Sequence, residues 1–151
     1  MIKDFLPGAP VAINGIWFKI MEVYTFHDVD CRLDLVALAG NTPAHSYWIM
    51  AINGGTYLAL TKPLSHNWLS DPVESIYHNG TNYSKIFEGG GFCVKKTETA
   101  KEKDKDGRFN YILFSNQDGK IILTIGQNFE TSAFIGELIT EESISLNENE
   151  N

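Results

Sequence analysis

Four groupings in this 151-residue chain have residue types and spacings that could do chemistry. The densest is His27-Asp28-Val29-Asp30-Cys31. Imidazole, carboxylate and thiolate are all metal-ligand types, and His45, His66 or His78 would complete a tetrahedral set. The spacing matches no standard zinc site, Asp28 and Asp30 suit a solvated hairpin loop, and Cys31 opens an apolar run. The group is therefore read as a loop, with no metal or other cofactor expected. The run Lys101-Glu-Lys-Asp-Lys-Asp-Gly107 puts glycine at the sixth position of a calcium loop counted from Glu102. Position twelve is then Leu113, where a bidentate Glu is required, so the run reads as a soluble hairpin tip that discourages edge pairing. Gly89-Gly90-Gly91 is followed by no Lys-Ser/Thr and by a strand, which excludes a phosphate loop and points to a bulge or a corner between sheets. The fourth grouping, Lys62-Pro-Leu-Ser-His-Asn-Trp-Leu-Ser-Asp-Pro72, holds His66, Trp68 and Leu69 in a proline-bounded segment. A large apolar side chain there either plugs a core or awaits a partner; the plug is favoured for Trp68, and these three are the candidate binding residues. No GxSxG elbow occurs, and a Cys–His nucleophile would need a proximity that the spacing does not supply, so no catalytic residue is assigned.

Charge narrows the partners. The net charge is −7, the wrong sign for holding nucleic acid through its phosphates. Four of the 19 acidic residues, Glu141, Glu142, Glu148 and Glu150, lie in 141–151 without a cation; the remaining 15 face 12 basic residues, a net of −3. This end reads as a solvated acidic tail on a nearly balanced body, which also speaks against an acidic mimic of nucleic acid. The apolar runs fall far short of a membrane span, and the N-terminus lacks the hydrophobic region of a signal peptide. Cys31 and Cys93, 62 positions apart with no CxxC, fit buried thiols in a reducing cytoplasm.

The elements that must position these groups are strands. Asn14-Gly15, Asn53-Gly54, Asn79-Gly80, Asp106-Gly107 and Asp118-Gly119 accept positive φ and separate runs rich in β-branched and aromatic residues. Residues 108–125 show a hairpin most clearly, with Ile121, Leu123 and Ile125 alternating onto one face. In Cys31–Leu38, Leu33, Leu35 and Ala37 oppose Arg32, Asp34 and Val36, the pattern of a half-buried strand. Further strands fall near 10–13, 16–25, 46–52, 56–61, 74–78, 82–87, 91–99 and 130–139, with short helical turns at Leu64–Ser70 and Glu141–Ile144. The reading is a single all-β domain over 1–140, an antiparallel barrel or sandwich of about nine or ten strands, with a tail over 141–151. The aromatics Trp17, Tyr24, Tyr47, Trp48 and Tyr57 are assigned mostly to its core.

The halves 8–61 and 82–140 echo one another. Each reads as glycine (Gly15, Gly91), long strand, hairpin and closing strand, a pattern that fits either a duplicated β-unit or the self-likeness of any meander. The order Val11-Ala-Ile-Asn-Gly-Ile-Trp-Phe-Lys-Ile20, then Leu33–Leu38, then Tyr47-Trp48-Ile49, resembles the bacterial domain-of-unknown-function family 4178, mainly over residues 8–62. That resemblance implies an all-β fold and a small bacterial protein, and no catalytic residues.

The function expected from these readings is that of a non-catalytic β-domain, bacterial or from a phage, acting through protein–protein contacts as an adaptor, immunity or inhibitor protein. The alternative is a small-ligand barrel or weak enzyme with a polar pocket around His27, Asp28 or His78. The metal assignment has a direct check. Purified protein should carry no stoichiometric zinc, and its melting temperature should be indifferent to a chelator; elemental analysis finding one zinc per chain would overturn the loop reading.

Overall fold

The computed structural model describes residues 5–40, 46–66, 68, 70–99, 103–127 and 130–146, with backbone alone for 103–106. Its strands are β1 (Pro10–Ile13), β2 (Ile16–His27), β3 (Arg32–Ala39), β4 (Tyr47–Ile52), β5 (Tyr57–Pro63), β6 (Ser75–His78), β7 (Thr81–Thr97), β8 (Lys103–Ser115), β9 (Lys120–Gln127), β10 (Glu130–Leu138) and β11 (Ile144–Ser145). They form one antiparallel sheet in the order β11-β1-β2-β3-β4-β5-β10-β9-β8-β7-β6, and a further pairing of β2 with β7 closes the eight central strands into a ring. The all-β expectation is met by this closed barrel.

Two four-stranded meanders, β2–β5 and β7–β10, are joined by two seams. One seam pairs Glu22–His27 with Phe92–Thr97, and the other pairs Ala59–Pro63 with Phe134–Leu138. Each seam joins strands holding the same place in their meanders. Each meander is also preceded by a short strand, β1 or β6, turned back by an Asn-Gly dipeptide whose asparagine sits in the left-handed region, Asn14 at φ 50° and Asn79 at φ 54°. The matching segments thus run 10–63 and 75–138, and the counterpart of Asn14-Gly15 is Asn79-Gly80, where the sequence pattern had picked Gly91.

The barrel is filled. Phe26, Leu33, Leu35, Met50, Ile52, Cys93, Tyr111, Leu113, Ile121, Leu123 and Phe134 meet inside it, with Tyr24, Trp48 and Tyr57 packed against them. The alternate residues on the outside are covered as well. Over β3–β5, Val36, Leu38, Ile49, Ala51 and Leu58 lie beneath Phe5, Val11 and Ile13, with Ile139, Ile144 and Leu146 against them. Over β8–β10, Ile112, Phe114 and Ile122 pack with Ile76 and Tyr83, with Leu64, Trp68 and Ile135 alongside. Two coats on one barrel explain why β3 is buried on both faces where the alternation predicted one. Asp34, on its outer face, accepts a hydrogen bond from Thr25 Oγ1 at 2.7 Å and pairs with Arg32 Nε at 3.1 Å, which satisfies a carboxylate that burial would otherwise penalise.

Other expectations are corrected. Gly89–Gly91 form no corner: they lie inside the continuous 17-residue β7, whose register shifts fall on either side of them. Gly107, at φ +85°, sits in a bulge of β8 that skips two residues between Lys105 and Arg108, and no hairpin turns at Asp106-Gly107. The described residues of 64–70 form no helical turn. The acidic end, read as solvated, is docked at its start: the short helical turn expected there is present as a 3-10 turn over Glu141–Ser143, and Ile144 and Ser145 pair with Ile13 and Ala12.

A glycine with no room for a side chain lies in the β5–β10 seam, Gly136, and another at the end of the β2–β7 seam, Gly91. A Cβ on Gly91 would lie 2.4 Å from the carbonyl of His27, and one on Gly136 would lie 2.0 Å from the carbonyl oxygen of Leu60. Backbone cannot yield as a flexible side chain would. Gly136→Ala should therefore cost about 3 kcal/mol, the upper end of ordinary overpacking, read as a shifted urea midpoint; a parental midpoint would show that the β5–β10 seam is looser than its geometry states.

Candidate functional site

The chain between β5 and β6 crosses the outside of the second meander as a strap. Pro63 ends β5 opposite Phe134, and Pro72 precedes β6; neither can donate to a sheet ladder. The strap is anchored at three points: Leu64 N–H donates to the Ala133 carbonyl at 2.8 Å, His66 Nε2 bonds the Thr131 carbonyl at 3.1 Å, and Thr131 Oγ1 donates to Asp71. The His66 and Trp68 rings stack at 4.1 Å between centroids, and Trp68, half-buried, lies on the outer coat of Ile112, Phe114 and Ile122. Trp68 therefore fills a coat on the barrel exterior, beneath an exposed imidazole. Leu69, the third candidate, lies outside the described residues.

Beside the strap runs an open cleft of about 360 Å³ lined by Asp71, Val73, Glu88, Asn110, Thr124 and Thr131, among others. Next to it the apolar surface is uncovered: Val73 is 59% exposed and Tyr77, on β6, 73%. Glu74 and Glu88 both reach Lys85 Nζ, at 3.2 and 3.3 Å, and together raise its pKa. Strap and cleft adjoin on the outside of the second meander, and Val73 and Tyr77 are exposed apolar side chains there and on β6.

The His27–Cys31 group sits elsewhere, at the barrel end where β2 turns into β3. His27 and Asp30 are exposed. Asp28 accepts from the Asp30 backbone N–H at 2.8 Å and pairs with Arg108 Nη2 at 2.7 Å; these two contacts, in that order, hold its carboxyl below the usual carboxylate range. Cys31 Sγ donates to the Gly90 carbonyl at 3.4 Å. Behind it the Tyr111 hydroxyl is buried without a hydrogen-bond partner, and burial first, then the Cys31 sulfur, push the phenol pKa up. Gly89 makes room for both: a Cβ there would stand 2.8 Å from Tyr111 Cζ and 2.9 Å from Cys31 Sγ. Among the described residues no three His, Cys, Asp or Glu side chains converge on a metal position. The contacts tie the 28–31 loop to β7 and β8.

In comparisons with protein-family models, curated proteins and solved structures, no match to this chain is found. Its own geometry must carry the functional reading. The sequence pointed to the strap through its prolines and tryptophan but missed Val73 and Glu88, which come together in one cleft only in the fold, and Tyr77, exposed on β6.

The Asp28–Arg108 pair predicts a pH dependence with a definite sign. A carboxylate whose folded pKa lies below its unfolded value, about 3.9, stabilises the fold above that value and loses the contribution as pH falls through the folded one. Asp28→Asn should therefore melt below the parent at pH 7, with the gap closing by pH 2.5; a gap unchanged at pH 2.5 would mean that the carboxylate's charge plays no part.

Proposed function

We propose that this chain is a non-catalytic binding domain that works through protein–protein contacts, in the manner of an adaptor, immunity or inhibitor protein. The observation that carries the reading is the strap face. A filled barrel carries a stacked His66–Trp68 pair on the outer coat of its second meander, with Val73 exposed in the adjoining cleft and Tyr77 exposed on β6. Aromatic and aliphatic anchors with a polar surround are the composition of an interface centre, and mounting them on a rigid scaffold lowers the ordering cost of association. The pairing of Asp28 with Arg108, and of Cys31 with a backbone carbonyl, gives those side chains structural employment.

The cleft supports a second reading, as a small-ligand site. About 360 Å³ lies at the lower end of ligand pockets, and Asp71, Glu88, Asn110 and Thr124 offer convergent polar groups. It is an open groove on the outside of the wall, not an enclosed interior, and as such suits a partner's protruding side chain.

The two readings separate in one experiment. A protein captured on the full chain and then purified should bind it saturably, and Val73→Asp should weaken that binding at least tenfold with the melting temperature unchanged, as loss of an interface anchor does. Trp68→Ala should instead cost on the order of 2 kcal/mol of stability, because the ring is half-buried in the outer coat. If no protein binds saturably while a small molecule raises the melting temperature of the parent but not of Asn110→Leu, the cleft reading replaces the interface.

A further inference from the structure

The two short strands hold equivalent places and meet different fates. β1 and β6 each precede a long strand across an Asn-Gly turn, and each pairs with that strand along one edge. The far edge of β1 is taken by β11, which runs antiparallel with Ser145 opposite Ala12 and Ile144 opposite Ile13. Among the described residues nothing pairs with the far edge of β6. The contrast shows in burial: Ala12 is 4% exposed, and Tyr77, at the same place before the turn, is 73% exposed.

The hydrogen-bonding phase of β6 is fixed by its turn. In a two-residue hairpin the flanking residues, His78 and Thr81, form a hydrogen-bonded pair, and Lys85 N–H donates to the Glu74 carbonyl in the same phase. Residues 74, 76 and 78 therefore turn their backbone groups to β7, while Ser75, Tyr77 and Asn79 turn theirs outward. In β1 the phase is the same, and there Asn14, the counterpart of Asn79, donates its outward N–H to the Ser143 carbonyl at 2.8 Å. The edge of β6 thus offers the donors and acceptors that β1 spends on β11.

We propose that the outer edge of β6 takes up an extended segment of a partner protein as an added antiparallel strand, with the pattern aliphatic, small polar, aliphatic, followed within a few residues by Lys or Arg. This rests on the protein-binding reading and specifies its chemistry. The apolar pattern follows from β11, whose Ile144 and the adjoining Leu146 pack on the outer coat beside Val11 and Ile13. On β6 the equivalent positions would continue the coat around the buried Ile76. The basic residue follows from charge. Glu74 and Glu88 flank the ammonium of Lys85 at the start of β6, and Asp71 lines the adjoining cleft with Glu88, an acidic surplus among the described residues there. An antiparallel strand brings the residues after its aliphatic pair to that end. In sequence the chain's own segment has Glu148 and Glu150 after its aliphatic pair, so an acidic segment of that pattern would meet like charge on β6, an exclusion as useful to specificity as the attraction.

The test uses the full chain and two labelled octapeptides, one copying residues 143–150 and one with lysine in place of both glutamates. The lysine peptide should bind saturably, at least tenfold tighter than the acidic one at low salt, and should slow hydrogen exchange at the Tyr77 and Asn79 amides. Tyr77→Pro, which deletes an outward N–H, should weaken binding tenfold or more with the melting temperature held within a few degrees. Should that variant fail to fold, Glu74→Lys decides, since it should shift the preference toward the acidic peptide. Absence of saturable binding by the lysine peptide, equal affinity for both peptides, protection confined to Ala12 and Asn14, or indifference to these substitutions would each overturn the proposal. A purified partner that still depends on Val73 but is indifferent to Tyr77→Pro would remove the β6 edge while leaving the protein-binding reading in place.

Discussion

Closure of the ring is the constraint on which everything else depends. A sheet of eight strands has two edges, and each edge strand presents unpaired N–H and C=O groups unless it finds a mate. Here the two meanders supply mates to each other, β2 to β7 and β5 to β10, and both contacts are close enough to demand glycine, at Gly91 and Gly136. Once the ring is shut the inward residues have one place to go, and Tyr111, Phe26 and Leu123 become a common interior. The continuous β7 shows the same demand. It is long enough to pair with β6 over 81–84, with β8 over 84–95 and with β2 over 92–97, and its ladder with β8 shifts register between Lys85 and Phe87 and between Phe92 and Cys93.

A closed barrel still has an outside, and this one keeps little of it bare. The outer faces of β3–β5 and β8–β10 are as aliphatic as many interiors, with Val36, Ile49, Leu58, Ile112, Phe114 and Ile122 all buried. Each face is covered by the segment that precedes its own meander: the stretch from Phe5 to β1 for the first, the strap and β6 for the second. The first cover is completed by β11. The second stops at β6, and the exposed surface of interest lies where it stops.

What could be read from the sequence follows the range of the interaction involved. Asn14-Gly15, Asn53-Gly54 and Asn79-Gly80 announce their turns because positive φ is a property of the residues themselves. The alternation of Ile121, Leu123 and Ile125 announces an inward face for the same local reason. Nothing within 22–27 says that 92–97 is its partner, nor does Asp28 announce Arg108, 80 residues away. Gly89–Gly91 look like a corner because their cause, the close approach of His27, Tyr111 and Cys31, lies on other strands. The strap was legible as a segment through its prolines, and Trp68 as its anchor. Tyr77 was not, because an aromatic in a short strand reads as core until one knows that the strand is an edge. The docked end was missed for the opposite reason: four glutamates outweigh Ile144 and Leu146 in any count of composition.

The seams also set a timetable. Within each meander the paired strands are neighbours in sequence, and such hairpins form in microseconds. The seams join residues such as Phe26 with Cys93 and Leu60 with Glu137, 67 and 77 positions apart, so loop-closure entropy delays them relative to the hairpins. In that interval a half-formed molecule displays the open edges of β2 and β5, which can be met by β7 and β10 of its own chain or by those of another. Because the two choices bury the same contacts, chain concentration selects between them, and the architecture carries within it a route to dimers that exchange halves.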